Sequence, residues 1–125
     1  MTPLLFLGIA AAGGVGASLR FLLDGVMRAR VPIAYPVGTT VINISGSLLL
    51  GLLAGLASAA LLPEDLRLLL GTGLLGGYTT FSTASLDTVR LLQERRHLAG
   101  LANGLGMLAV SALAAGLGYW VGAAL

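Results

Sequence analysis

The chain contains no cysteine and no lysine, one histidine and only five acidic residues in 125. Without cysteine there is neither a disulfide nor a thiolate metal site, and one histidine does not make a metal centre. Every basic residue is therefore an arginine. With so much alanine, glycine and leucine, that reads as a bias of base composition with no bearing on function. Charged residues make up 10% of the chain and hydrophobic ones 57%. A soluble domain of this size needs far more charge to cover its surface, so the class is an integral membrane protein. The acids Asp24, Glu64, Asp65, Asp87 and Glu94 all fall near the ends of apolar runs or between them. A coupled exporter needs a titratable group within the membrane, so that class is disfavoured. No nucleophile–base pair or phosphate loop is present, which argues against an enzyme. The net charge of +2 is too small and scattered for nucleic acid.

At roughly 20 residues per crossing, the pattern predicts an all-α membrane protein of four transmembrane helices in one domain, residues 1–125, leaving no room for a soluble domain. The spans are expected at about residues 4–23, 37–61, 66–92 and 98–125. The first lacks a basic leader and is interrupted by Arg20, so it reads as a retained helix rather than a signal peptide. Gly8, Ala12 and Gly16 form a small-residue stripe along it. The segment from Asp24 to Pro36 reads as a loop; Gly51/Gly55 is a weak close-packing signal in a glycine-rich chain, and the fourth span carries the pairs Gly100/Gly104 and Gly118/Gly122. Arg28, Arg30, Arg90, Arg95 and Arg96 fall on one side and Arg67 on the other, which predicts a single orientation with both termini outside.

The third span holds Gly76-Gly77 followed by Tyr78, Thr79, Thr80, Ser82, Thr83 and Ser85, with Phe81 among them. Lipid offers no hydrogen bonds, so a weakened backbone and a run of hydroxyls at membrane depth must face protein, water or an ion. The stretch predicts a helix broken near the midplane, whose freed backbone groups build a site. Asn43 in the second span reads, taken alone, more readily as a polar contact between helices than as a pore-lining donor. Asn103 and Ser111 lie on nearly the same face of the fourth span. Neutral donors around a break suit passive movement of a small ion. A non-transporting scaffold would explain the glycine pairs and leave Asn43 and the hydroxyls without a purpose.

Three stretches, Gly13-Gly-Val-Gly-Ala-Ser-Leu-Arg20, Gly38-Thr-Thr-Val-Ile-Asn-Ile-Ser-Gly-Ser47 and Gly76-Gly-Tyr-Thr-Thr-Phe-Ser-Thr83, resemble the signatures of the bacterial fluoride channel family (Fluc, also called CrcB). The third is highly specific, and the resemblance covers essentially the whole chain. It implies an antiparallel dual-topology-type dimer in the cell membrane with two narrow fluoride pathways along the dimer interface. It also implies a structural sodium ion at the dimer centre, held by the backbone carbonyls of Gly76 and Thr79 from both subunits. The resemblance reverses the weighing of Asn43, which matches the family's pore asparagine. Phe81 matches the first of two phenylalanines whose ring edges face the anion, and Thr83 and Ser111 are expected beside the pathway as a hydroxyl track. Arg20 and Asp87 are expected in vestibule or structural roles. Two departures stand out: Ala84 occupies the position of the second phenylalanine, and Met107 stands where a hydroxyl is expected. With the arginine asymmetry, they leave two assemblies open, a homodimer or a heterodimer with an oppositely oriented paralogue. In the latter this chain can be the non-conducting partner.

Overall fold

The computed structural model describes residues 2–125. Helix α1 (Pro3–Arg30) begins where Thr2 accepts the Leu5 N–H on its hydroxyl at 3.1 Å, with proline in its first turn. It runs well past the expected end at residue 23. Asp24 and Arg28 pair one turn apart at 3.1 Å, and nothing stops the helix until Pro32. The expected loop from Asp24 is thus helical as far as Arg30, and only residues 31–36 lie outside helices.

Helix α2 (Val37–Ser58) ends three residues before the expected boundary, because Ala60 turns left-handed with a φ of 59°. The Leu61 N–H then donates to the Leu56 carbonyl at 2.9 Å, closing the helix end. Helix α3 covers residues 64–78. A first turn, Glu64–Arg67, leads into a wide π-helical stretch, Leu68–Leu75, and a last turn, Gly76–Tyr78. At its start Arg67 donates to Glu64 at 3.0 Å, and that hydrogen bond holds the Glu64 carboxyl below its usual range. The chain leaves helical geometry at residues 79–81 and resumes as α4 (Ser82–Gln93). Helix α5 (His97–Ala124) has its own π-helical stretch at Ala102–Gly106, around Asn103. No strand occurs among the described residues.

Three of these helices, α1, α2 and α5, are long and apolar enough to cross a membrane. Helices α3 and α4 follow one another in tandem between α2 and α5, and the break divides this part of the chain into two arms of similar length. Large apolar side chains point outward along every helix, Phe6, Phe21, Leu105 and Leu113 among them, as they do when the solvent is lipid.

Glycine holds the bundle together. On α2 and α5 the pairs Gly51/Gly55 and Gly118/Gly122 interlock, and a Cβ at any of them would run into the facing backbone at Ala115, Tyr119, Leu48 or Leu52. The weak sequence signal therefore marks the tightest helix pair. The stripe on α1 meets α3 in the same way. Gly16 lies against the Leu74 carbonyl, Gly77 against the Gly13 carbonyl, and Ala12 opposite Gly73. The loop between α1 and α2 and the turn after α4 meet at one end, where Arg96 donates to the Ala34 carbonyl. Arg28, Arg30, Arg90, Arg95 and Arg96 thus share that end.

Candidate functional site: a helix break between two cavities

The break is held by side chains from α1 and α2. Asn43 grips Thr80 at two points: its Nδ2 donates to the Thr80 carbonyl at 2.7 Å, and its Oδ1 accepts the Thr80 N–H at 2.9 Å. The residue with the least helical support is thereby satisfied without a helix. The Thr80 hydroxyl accepts the Thr83 N–H at 3.2 Å and so caps the start of α4. Arg20 caps the other arm, its Nε donating to the Gly77 carbonyl at 3.3 Å, at the negative end of α3. Tyr78 and Ser45 share a hydrogen bond of 3.0 Å between their hydroxyls, and Gly46 leaves room for the Thr79 methyl. Thr79 is extended (φ −80°, ψ 159°) and its hydroxyl donates back to the Leu75 carbonyl at 3.0 Å.

Among the described residues, no hydrogen-bond donor reaches the carbonyls of Gly76 or Thr79. Uncapped carbonyl oxygens are the ligands a hard monovalent cation takes. No cluster of three or more histidine, aspartate or glutamate side chains offers an alternative metal site among these residues.

Cavities flank the break on two sides. The first is a groove of about 330 Å³ lined by Asn43, Phe81, Asn103, Met107 and Ser111. Phe81 is 87% exposed at its rim, an unusual position for a phenyl ring beside two polar backbone segments. Asn43 uses its second N–H here, donating to the Met107 thioether at 3.2 Å. Asn103 is 1% exposed; its amide nitrogen donates to the Ala84 carbonyl at 3.1 Å and the Thr88 hydroxyl at 2.9 Å. Its Oδ1 and the Ser111 hydroxyl are buried without partners. The second cavity, about 360 Å³, lies on the α1 side and is lined by Arg20, Asp24, Thr39, Thr80 and Thr83. Thr80 belongs to the walls of both.

Toward the arginine-rich end a third cavity of about 260 Å³ is bounded by Asp24, Arg28, Thr39, Asp87, Arg90 and Glu94. Asp87 is buried in its wall; Thr39 donates to it at 3.2 Å and Arg90 stands 4.0 Å away. Thr39 and Asp24 border this cavity and the second one, so the basic end is linked to the break through them.

Most of the expected site residues converge on the break. Asn43, Phe81 and Ser111 share the groove, Arg20 and Thr79 flank the break, and Asp87 sits in the end cavity. Thr83 and Ser111, expected along one hydroxyl track, face different cavities within the subunit. The roles of Thr39 and Thr80 were not assigned from sequence, although both threonines lie inside the recognised motifs. A threonine three residues before the helix's second position was the only available signal for the Thr80 cap.

The CrcB-like protein family (Camphor Resistance, CrcB) matches over residues 7–119. The fluoride-specific ion channel FluC 1 of Leifsonia xyli subsp. xyli is 54% identical over 122 residues, spanning 98% of this chain and 89% of that protein. The fluoride-specific ion channel FluC of Syntrophotalea carbinolica is 48% identical over 115 residues, 90% of this chain and 93% of its own length. FluC 2 of Mycobacterium tuberculosis, also named a fluoride-specific ion channel, is 44% identical over 121 residues, 97% and 93% of the two chains. Matched from the first helix to the last, and carrying the broken third crossing at the position of its most specific motif, the chain belongs to the CrcB family.

Proposed function

We propose that this chain is a subunit of a passive fluoride-selective channel in the cell membrane, through which accumulated fluoride leaves the cell. It is a channel component and not an enzyme. The observation that carries the reading is the helix break itself, a mid-membrane site lined by neutral donors in a chain that matches fluoride-specific channels along its length. Stripping water from so small an anion requires hydrogen-bond donors in place of the lost hydration. Asn43 supplies an N–H, Ser111 a free hydroxyl, and the Phe81 ring edge a weak positive potential that does not hold the ion too tightly for release. A negative interior potential drives the anion outward without a coupled proton. The basic end, under the positive-inside rule, faces the cytoplasm.

The working unit in this reading is an antiparallel dimer, in which a second subunit covers the exposed Phe81. The uncapped Gly76 and Thr79 carbonyls fit a sodium ion, which would bind the two broken helices to one another as a structural element. Ala84, in the position of the second phenylalanine, leaves a second assembly open, in which an oppositely oriented paralogue supplies the missing ring edge. A small four-helix coupled exporter is the weaker alternative: Asp87, the one buried acid among the described residues, sits at the basic end and not at the break.

Fluoride efflux from liposomes containing only this purified subunit tests the proposal, with valinomycin and a potassium gradient as counter-ion path and chloride as control. Rapid fluoride release without chloride release is expected of a homodimer. Equal release of both anions would refute a fluoride-selective channel. Release only after co-expression with a paralogue would assign the chain to a heterodimer.

A further inference from the structure

We propose that Met107 is a positioning residue that holds the anion-facing N–H of Asn43 until an anion displaces it, and so sets how tightly the groove takes fluoride. The inference rests on the fluoride-channel reading and adds a determinant of affinity to it. Asn43 has two N–H donors and a carbonyl oxygen with two lone pairs; one N–H and the oxygen are engaged with Thr80. The second N–H points into the groove and ends on the Met107 sulfur at 3.2 Å. Met107 is 6% exposed and fixed in the groove wall between Asn103 and Ser111.

A thioether is a weak acceptor. A carbonyl or hydroxyl at this position would hold the N–H firmly, and an anion would have to break a full hydrogen bond to reach it. A hydrocarbon would leave the part-buried N–H without a protein acceptor, which destabilises the empty state. Sulfur lies between these extremes. It satisfies the donor in the absence of anion and gives way to fluoride, whose charge-assisted hydrogen bond is roughly twice as strong as a neutral one. The substitution that breaks the expected hydroxyl pattern of α5 thus falls on the one atom that contacts the free donor.

The chain has only two asparagines, Asn43 and Asn103, so selective ¹⁵N-asparagine labelling gives a spectrum in which each side-chain N–H can be assigned. The detergent-purified full chain is titrated with potassium fluoride, and with potassium chloride as control, at constant sodium. Fluoride is expected to move the Asn43 proton facing Met107 and to leave the Thr80-bonded proton nearly still. Met107→Leu, close in volume and without an acceptor, should lower the fluoride concentration at half-response about twofold. Met107→Gln, with a strong acceptor on a chain of similar length, should raise it about fivefold, the equivalent of one ordinary neutral hydrogen bond. A mere packing role predicts that both substitutions shift the response in the same direction, and that result overturns the proposal. So does a wild-type titration in which neither Asn43 proton responds to fluoride. Liposome efflux, run in parallel, separates the two claims. Efflux without an Asn43 response sinks the role of Met107 and leaves the channel reading intact. An Asn43 response without efflux, alone or with a paralogue, does the reverse.

Discussion

Replacing Asn43 by alanine should destabilise the folded chain by about 2–4 kcal/mol, before any question of conduction arises. The substitution removes the two hydrogen bonds, 2.7 and 2.9 Å, that satisfy the carbonyl and N–H of Thr80. A buried backbone group left without a partner costs about 1–3 kcal/mol, and because Thr80 is only part-buried the lower part of that range applies to each of its two groups. Polar contacts between membrane helices often measure less, about 0.6 kcal/mol on average, because the groups freed by a mutation find other partners. At Thr80 the alternatives are few: the residue lies outside both helical arms, and its hydroxyl is already engaged in capping α4. Unfolding in mixed micelles, followed through the fluorescence of Trp120, the single tryptophan, measures the loss. Asn43→Asp supplies the companion. Ionised, it can still accept the Thr80 N–H, but it sets a negative charge against the Thr80 carbonyl and repels an incoming anion. It should stop fluoride flux while recovering part of the stability lost in Asn43→Ala. A loss below about 0.5 kcal/mol in Asn43→Ala would show that the grip on Thr80 is unimportant and refute the reasoning.

Phe81→Ile removes the ring edge from a residue that is 87% exposed in the subunit, so fluoride efflux should fall at least tenfold with folding unchanged; undiminished efflux would remove Phe81 from the pathway. Gly118→Val should cost at least about 2 kcal/mol, because its Cβ would overlap the Leu48 carbonyl, whereas Gly25→Ala, with open space around it, should be neutral or slightly stabilising in the same unfolding assay. Thr79→Ser keeps the hydroxyl that donates to the Leu75 carbonyl and should leave efflux within about twofold of wild type; a severe loss would mean that the side chain itself serves the ion.

The break was legible because its signal is a contradiction within a single span: two glycines and a run of hydroxyls where lipid demands an unbroken helix. Its position, residues 79–81, follows directly from Gly76-Gly77 and the hydroxyls after them. Helix α1 was misjudged for the opposite reason. Asp24 and Arg28 interrupt the apolar run and so end the hydropathy signal, yet as a pair one turn apart they prolong the helix. Glycine pairs were ambiguous because spacing alone does not say which face meets a partner. In a chain with 19 glycines, Gly14, Gly25 and Gly116 have nothing nearby, while Gly51, Gly55, Gly118 and Gly122 let two backbones touch. That distinction depends on how the helices are rotated against each other, which no short pattern encodes.

Asn43 shows most clearly why sequence alone leaves such a site undecided. A polar contact that fastens helices and a donor that faces an ion read as competing explanations, and the choice between them turned on a family resemblance. In the proposed channel the two are carried by different atoms of one amide. The oxygen and one N–H hold Thr80, which fixes where the side chain points; the other N–H, thereby aimed into the groove, meets only a weak acceptor. The structural role is what makes the second N–H available at a defined position, since an amide free to rotate would turn its donors to whichever carbonyl lay nearest. A donor meant to replace an anion's water must be rigid and nearly idle in the empty state. In the proposed channel Asn43 would meet both conditions, because Thr80 engages its oxygen and one N–H while Met107 takes so little of the other.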